Sequence, residues 1–149
     1  MLLFPMLELK NIDLHIDPHA ALYVKNEVVL VCFAKNDGEL TSQEGINRYK
    51  AGDAMITGST GNRWIVSRDR FHARYEPVAP LKAGEDGAYR NKPVPVLAKQ
   101  LHEPFSINRS AGGDRLQGGA GDWLMQYGPQ DFGIVEKQRF EQVYQLVKQ

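Results

Sequence analysis

The chain has 149 residues and a mass of 16.8 kDa, room for one or two small domains and too little for a large multidomain enzyme. Lys plus Arg is 18 and Asp plus Glu is 18, so the formal net charge is zero and no basic field exists to draw nucleic acid or anionic lipid over a distance. Charged residues at 24% and hydrophobic residues at 42% argue against disorder, and a single cysteine, Cys32, excludes an internal disulfide and a thiolate zinc cluster.

The opening Met1-Leu2-Leu3-Phe4-Pro5-Met6-Leu7 has no basic residue before it and is broken by Pro5, so it does not read as a signal peptide. No apolar run is long enough for a spanning helix, and the expectation is a cytoplasmic protein. Asp13-Leu14-His15-Ile16-Asp17-Pro18-His19 follows. If extended, it places Asp13, His15, Asp17 and His19 on one side, a set that suits zinc or another transition metal. The same alternation describes any half-exposed strand, and Pro18 interrupts it, so no metal or cofactor is assigned.

Val28–Phe33 is a β-branched apolar run that predicts a strand buried on both faces, with Cys32 buried and inert. Ala54–Thr57, Gly58–Asn62 and Arg63–Val66 predict a hairpin, and Ser67 stands as N-cap of a short helix carrying Phe71, Arg74 and Tyr75. Arg63, Arg68, Arg70 and Arg74 with Trp64 could clamp a phosphate or a base. Asp69 and Glu76 among them favour a solvated helix face. The loop Gly58-Ser59-Thr60-Gly61 could offer amides to an anion, but it lacks the lysine of a P-loop. The Gly-rich stretches Ser110–Asp114 and Gly118–Gly121 read as tight turns.

Pro77, Pro80, Gly84 and Gly87 have linker composition. Pro93–Leu97 predicts a second strand, pushed to a sheet edge by its two prolines. Trp123–Tyr127, Gly128–Asp131 and Phe132–Val135 predict a second hairpin. Phe140, Val143, Tyr144 and Val147 follow i, i+3, i+4, i+7, one apolar stripe of a closing helix.

The two halves are similar to one another. Ala51-Gly52-Asp53 recurs as Ala120-Gly121-Asp122, a shift of 69 that also pairs Ile65-Val66 with Ile134-Val135, Arg70-Phe71 with Arg139-Phe140 and Tyr75 with Tyr144. Eight of these 25 positions are identical, where about one or two arise by chance, so an internal repeat organises the chain. A weaker match upstream sets Tyr23-Val24-Lys25 against Tyr89-Arg90-Asn91-Lys92 and Ala34-Lys35 against Ala98-Lys99. The division that follows is an N-terminal segment 1–22, repeat 1 at 23–78, a linker 79–88 and repeat 2 at 89–149. The fold class is α+β and β-rich, two tandem copies of a small module of a sheet with a C-terminal helix, packed together.

Tyr89-Arg90-Asn91-Lys92-Pro93-Val94, Gly121-Asp122-Trp123-Leu124 and Phe140-Glu141-Gln142-Val143-Tyr144 resemble the PGDYG proteins, a bacterial family with similar short phage-encoded members. The first half keeps Gly52-Asp53-Ala54 and Phe71-His72-Ala73-Arg74-Tyr75. Ala54 replaces the aromatic residue there, and Ala51 and Ala120 stand where the family's naming proline would be. The resemblance covers roughly residues 20 to 147 and implies no established activity.

No nucleophile, general acid or general base set stands out from the sequence: Ser59 and Ser67 lack a nucleophile-elbow context and the carboxylates scatter. The expected function is therefore binding of a small-molecule or nucleotide-like ligand, without catalysis and without nucleic-acid or membrane partners. The expected site is the cleft between the repeats, lined by Asp53, Arg63, Trp64, Asp122, Trp123 and Tyr127, two tryptophans and a tyrosine near the Gly-Asp turns. The alternatives are a small metal-dependent enzyme acting on a nucleotide-like substrate, with His15 and His19 as ligands, and a module that binds a protein partner. Oligomeric state is left open.

Overall fold

A computed structural model describes residues 6–42, 45–110 and 112–147; the apolar start Met1–Pro5 and Ala111 in the Gly-rich stretch lie outside them. The chain begins with β1 (Leu7–Glu8), a single 3-10 turn at Leu14–Ile16, β2 (Ala21–Lys25) and β3 (Val28–Phe33). A hairpin of β4 (Gly38–Ser42) and β5 (Gly45–Tyr49) precedes β6 (Ala54–Thr57), β7 (Arg63–Val66), α1 (Arg68–Arg74) and β8 (Tyr75–Pro77). Then come β9 (Gly87–Asn91), β10 (Val96–Gln100), β11 (Phe105–Asn108), β12 (Arg115–Gly118), β13 (Trp123–Gly128), β14 (Asp131–Val135), α2 (Lys137–Val143) and β15 (Tyr144–Leu146). The protein is β-rich α+β. It divides into two compact units, a contiguous one of residues 26–93 and a split one of residues 1–25 with 94–149.

In the contiguous unit a five-stranded antiparallel sheet runs β7-β6-β3-β9-β8. Phe71 of α1 lies on it in a core of Val29, Val31, Phe33, Ala54, Ile56, Tyr75 and Tyr89. Each fully buried apolar side chain there contributes about 1.5–3 kcal/mol. Tyr89, fully buried, has its hydroxyl satisfied: it donates to Glu85 O at 2.6 Å and accepts from Gly84 N at 3.0 Å.

Two expectations change here. β3 is buried on one face only: Val29, Val31 and Phe33 point to the core, while Val28, Leu30 and Cys32 are exposed. A continuous apolar run cannot reveal that a helix covers just one side of an antiparallel sheet. The segment 79–88, expected as a linker, is folded into this unit. Leu81 packs on the core, Lys82 N donates to Glu85, and Phe33 N donates to Asp86 Oδ1 at 2.9 Å. Its proline and glycine content serves turn geometry.

In the split unit the five-stranded antiparallel sheet runs β14-β13-β10-β2-β15. On one face α2 supplies Phe140 and Val143, and Phe140 packs with Ala98, Met125, Tyr23 and Trp123. The other face is covered by Leu14 of the 3-10 turn and by Phe105 and Ile107 of β11, packed on Leu97, Leu124, Phe132 and Ile134. β11 pairs antiparallel with β12 and parallel with the two-residue β1.

β10 lies in the middle of this sheet and not at its edge, because Pro93 and Pro95 precede the strand and cost it no ladder bonds. α2 ends at Val143. Tyr144 to Leu146 then pair with β2, and Val147 N donates to Leu22 O, so Tyr144 and Val147 continue the apolar spacing from outside the helix. Pairing as a strand satisfies backbone groups that another helical turn would have left at its end.

The two sheets share one order, and their ladders carry the 69-residue shift: Met55 faces Ile65 as Leu124 faces Ile134. Upstream the register differs from the sequence match. Gly52 N donates to Ala34 O at 2.7 Å and Gly121 N to Leu101 O at 2.7 Å, so Ala34 answers Leu101 and not Ala98. Tyr23 faces Val96 as Tyr89 faces Val29. The strand that carries this tyrosine follows the helix in the contiguous unit and precedes the central strand in the split one. Their sheets are thus the same order threaded from different starting points.

Candidate ligand cleft

The split unit contains a cleft of about 660 Å³ between the β1–3-10 segment, the end of β11 and the β13–β14 turn. Ile107 and Phe132 are buried in its wall, while Lys10, Asn11, Asn108, Ser110 and Gln130 line it with exposed polar groups. Apolar walls with a few converging polar groups are the usual composition of a small-molecule site.

Asp13 shapes one side. Its Oδ1 accepts from His15 N at 3.0 Å and lies 2.9 Å from His15 Nδ1. The carboxyl is held below its ordinary range, first by the backbone N–H of His15 and then by its side chain. With the proton on Nδ1, His15 keeps Nε2 as an acceptor for a ligand. Gln126 forms the base of that side. It is buried, its Oε1 accepts from Leu14 N at 2.6 Å, and its Nε2 donates to Gly128 O at 3.3 Å. That amide ties the 3-10 turn to β13.

The backbone adds a second observation. Asn11 and Gln130 are the non-glycine residues in the left-handed region among the described residues, at φ 55° and 53°, and both line this cleft. Asparagine tolerates that conformation better than most residues, and such positions gather at ligand sites when the surrounding fold enforces them.

The run Asp13–His19 is not extended, since Leu14–Ile16 forms the 3-10 turn and Asp13 turns back on His15. Asp17 Oδ2 binds Lys99 Nζ at 2.7 Å, and its Oδ1 accepts from His19 N. The one-sided set of two carboxylates and two imidazoles therefore does not form, and no group of three metal-ligating side chains occurs among the described residues.

Of the six residues expected at the site, Asp53, Arg63 and Trp64 belong to the contiguous unit and Asp122, Trp123 and Tyr127 to the split one. Asp53 Oδ2 accepts from Lys50 N at 2.9 Å. Asp122 Oδ2 accepts from Gly119 N at 2.8 Å and its Oδ1 from Lys137 N at 3.1 Å, so both aspartates serve the turns they close. The tryptophans are half-buried, Trp64 against the contiguous core and Trp123 on Phe140. Tyr127 is exposed and lies over Gly133; Arg63 is exposed opposite Thr57.

Arg68 lies 5.0 Å over the Phe33 ring and beside Gly52, which takes it out of any basic patch. The loop at Gly58–Asn62 does hold an anion, the chain's own: Ser59 N and Oγ donate to the buried Glu27 carboxylate at 2.9 and 2.8 Å. The cleft residues Asn11, Asn108, Gln126 and Gln130 were not expected. Gln126 alone had a visible signal, an amide within the apolar run Trp123-Leu124-Met125.

A family model described as PGDYG protein matches residues 45–145, more than half of the chain. No curated protein and no solved structure matches it. No helix among the described residues is long and apolar enough to cross a membrane. The matched span contains both Gly-Asp turns, both hairpins and both Phe-x-x-x-Tyr segments, and on that match the chain belongs to the PGDYG family.

Proposed function

We propose that this protein binds a small, uncharged, polar-edged molecule in the cleft of its split unit and acts by binding it without transforming it. The observation that supports this most directly is the coincidence of one cleft of about 660 Å³ with both left-handed non-glycine residues, Asn11 and Gln130. A ring resting on Ile107 and Phe132 would meet hydrogen-bonding groups from Asn11, His15 and Asn108 at its edges. A nucleoside-like base or a sugar has that shape and polarity. The six residues named from the repeat are turn and core elements in this reading, apart from Arg63 and Tyr127.

We also read the two units as copies of one module, one of them circularly permuted, with the ligand cleft developed in only one of them. The shared sheet order, the shared 69-residue ladder shift and the paired Gly-Asp turns support that. One exposed cysteine and no spanning helix among the described residues fit a cytoplasmic setting.

Amide NMR spectra of the full chain, titrated with adenosine, cytidine and glucose as separate probes, test the site. The expected result is that one probe moves the amides of Asn11, His15, Asn108 and Gln130 together and that His15→Ala with Asn108→Ala abolishes the response. Spectra in which these amides stay fixed with all three probes, while native mass spectrometry of gently purified protein shows a bare chain, overturn the reading.

A further inference from the structure

The polar groups of the cleft differ in what they still have to offer. The side-chain amides of Asn11, Asn108 and Gln130, one from each of its three walls, bond to no protein group among the described residues. Each carries a donor and an acceptor side by side. Gln126, by contrast, has its amide committed at both ends, to Leu14 N and to Gly128 O. His15 is committed at one end of its ring only. Its Nδ1 lies 2.9 Å from Asp13 Oδ1, and the same oxygen accepts from the His15 backbone N–H at 3.0 Å. A carboxylate oxygen has no proton to give, so the neutral ring carries its hydrogen on Nδ1 and keeps Nε2 as a pure acceptor.

Resting on the reading of this cleft as a ligand site, we infer that its ligand is an amino-substituted nitrogen heterocycle of the adenine or cytosine kind, and that His15 selects it. Such a ring sets a nitrogen acceptor beside an exocyclic NH2 group. A carboxamide pairs with that edge through two bonds, donating to the ring nitrogen and accepting from the amino group. The amino group has a second hydrogen, and His15 Nε2 is the acceptor for it. A keto ring of the same size puts an oxygen where the amino group stood. The carboxamides tolerate that change, because turning the amide over exchanges its donor and acceptor. His15 does not, because Nε2 then meets a second acceptor, and Asp13 keeps the ring in the tautomer that rejects it. A sugar hydroxyl both donates and accepts, so it draws no advantage from a fixed tautomer. A flat base also covers the buried Ile107 and Phe132 of the wall with an apolar face, which a ring edged by hydroxyls does less well.

Amide NMR titrations of the full chain at about pH 8, where imidazole is mostly neutral, compare adenosine with inosine and cytidine with uridine, with glucose as a further probe. The expected result is that the amino member of at least one pair moves the amides of Asn11, His15, Asn108 and Gln130, with a dissociation constant at least about tenfold below that of its keto partner. His15→Phe keeps an aromatic ring and removes the acceptor. It should abolish the difference within that pair by weakening the amino member. The His15 side chain is 63% exposed, so the thermal transition of this variant should stay close to that of the parent. Equal affinities within both pairs, tighter binding of a keto member, a preference that survives His15→Phe, or a response to glucose alone overturns the ligand class and leaves the cleft a ligand site. Amides that stay fixed with every probe overturn the ligand class and the cleft reading together.

Discussion

Trp123 lies flat on Phe140, ring centroids 3.7 Å apart and planes 7° apart, and the place it fills is taken in the other unit by Phe33. The ladders make the exchange explicit. Trp123 faces Gln100 across β13 and β10, whereas the corresponding pair across β6 and β3 is Ala54 and Phe33. Phe33 meets Phe71 edge-on at 5.4 Å. One large ring is supplied to each core, from opposite sides of the same rung, and Ala54 departs from the Gly-Asp-aromatic pattern because Phe33 already occupies the space.

That exchange predicts coupling. Phe33→Ala should cost the contiguous unit about 3–5 kcal/mol, and Trp123→Ala the split unit a similar amount. Ala54→Trp alone overpacks and should cost about 1–3 kcal/mol. Combined with Phe33→Gln it should cost at least about 1 kcal/mol less than the sum of the single changes. Urea unfolding measures this, with Trp64 reporting the contiguous unit in a Trp123→Phe background and far-UV circular dichroism following Trp123→Ala, which removes the split unit's own tryptophan. Strict additivity would show that the two sites fill different space.

The Gly-Asp turns carry a second prediction. Gly52 and Gly121 sit at φ 91° and 94°, a conformation that a Cβ strains. Alanine at either should destabilise its unit by about 1–2 kcal/mol. Asp122→Ala should cost about as much, since it strands Gly119 N and the first amide of α2, Lys137 N. Thermal unfolding of each variant checks both. If Asp122→Ala were neutral, solvent would be satisfying those amides equally well.

These turns were legible in the sequence because their defining residues lie within four positions: a glycine for the left-handed step and an aspartate for the amide behind it. The hairpins followed for the same reason. Sheet order did not. The strand beside β3 carries Tyr89 and comes from the end of its unit, the strand beside β10 carries Tyr23 and comes from the start of its own, and no local pattern marks that. The one-sided burial of β3 escaped similarly, because an apolar run is identical whether one face or two are covered. The cleft was the least legible feature. Its walls come from residues 9–15, 107–110 and 126–132, brought together by the sheet, and the left-handed geometry at Gln130 leaves no mark on composition.

Asp17 should give the split unit a pH dependence on the acid side. Its carboxyl is held below the ordinary range, first by the hydrogen bond from Lys99 and then by the amide of His19. A depressed folded value means that the stabilisation is fully present above the unfolded value, about 3.9, and is lost as the pH falls through the folded one. Both side chains of the pair are mostly buried, with 27% and 20% exposure for Lys99 and Asp17. Asp17→Asn should cost about 1 kcal/mol at neutral pH, and the difference from the parent should shrink as the pH drops below about 4. Urea midpoints across that range measure it; a constant difference would place the origin of the effect in packing.

Cys32 should be a slow thiol despite its exposure. Partial desolvation pushes its pKa up first, and the Asp86 carboxylate, 3.5 Å from Sγ, pushes it further in the same direction. Less thiolate is then present at mildly alkaline pH, and thiolate is the reacting form. Asp86→Asn keeps a carbonyl oxygen for the Phe33 N–H, which now donates to Asp86 Oδ1, and removes only the charge. It should speed the reaction with a disulfide reagent by a few fold near pH 8 and move the midpoint of the pH–rate curve down. An unchanged midpoint would leave desolvation as the sole cause of the raised thiol, and the Asp86 carboxylate would then serve only the backbone of β3.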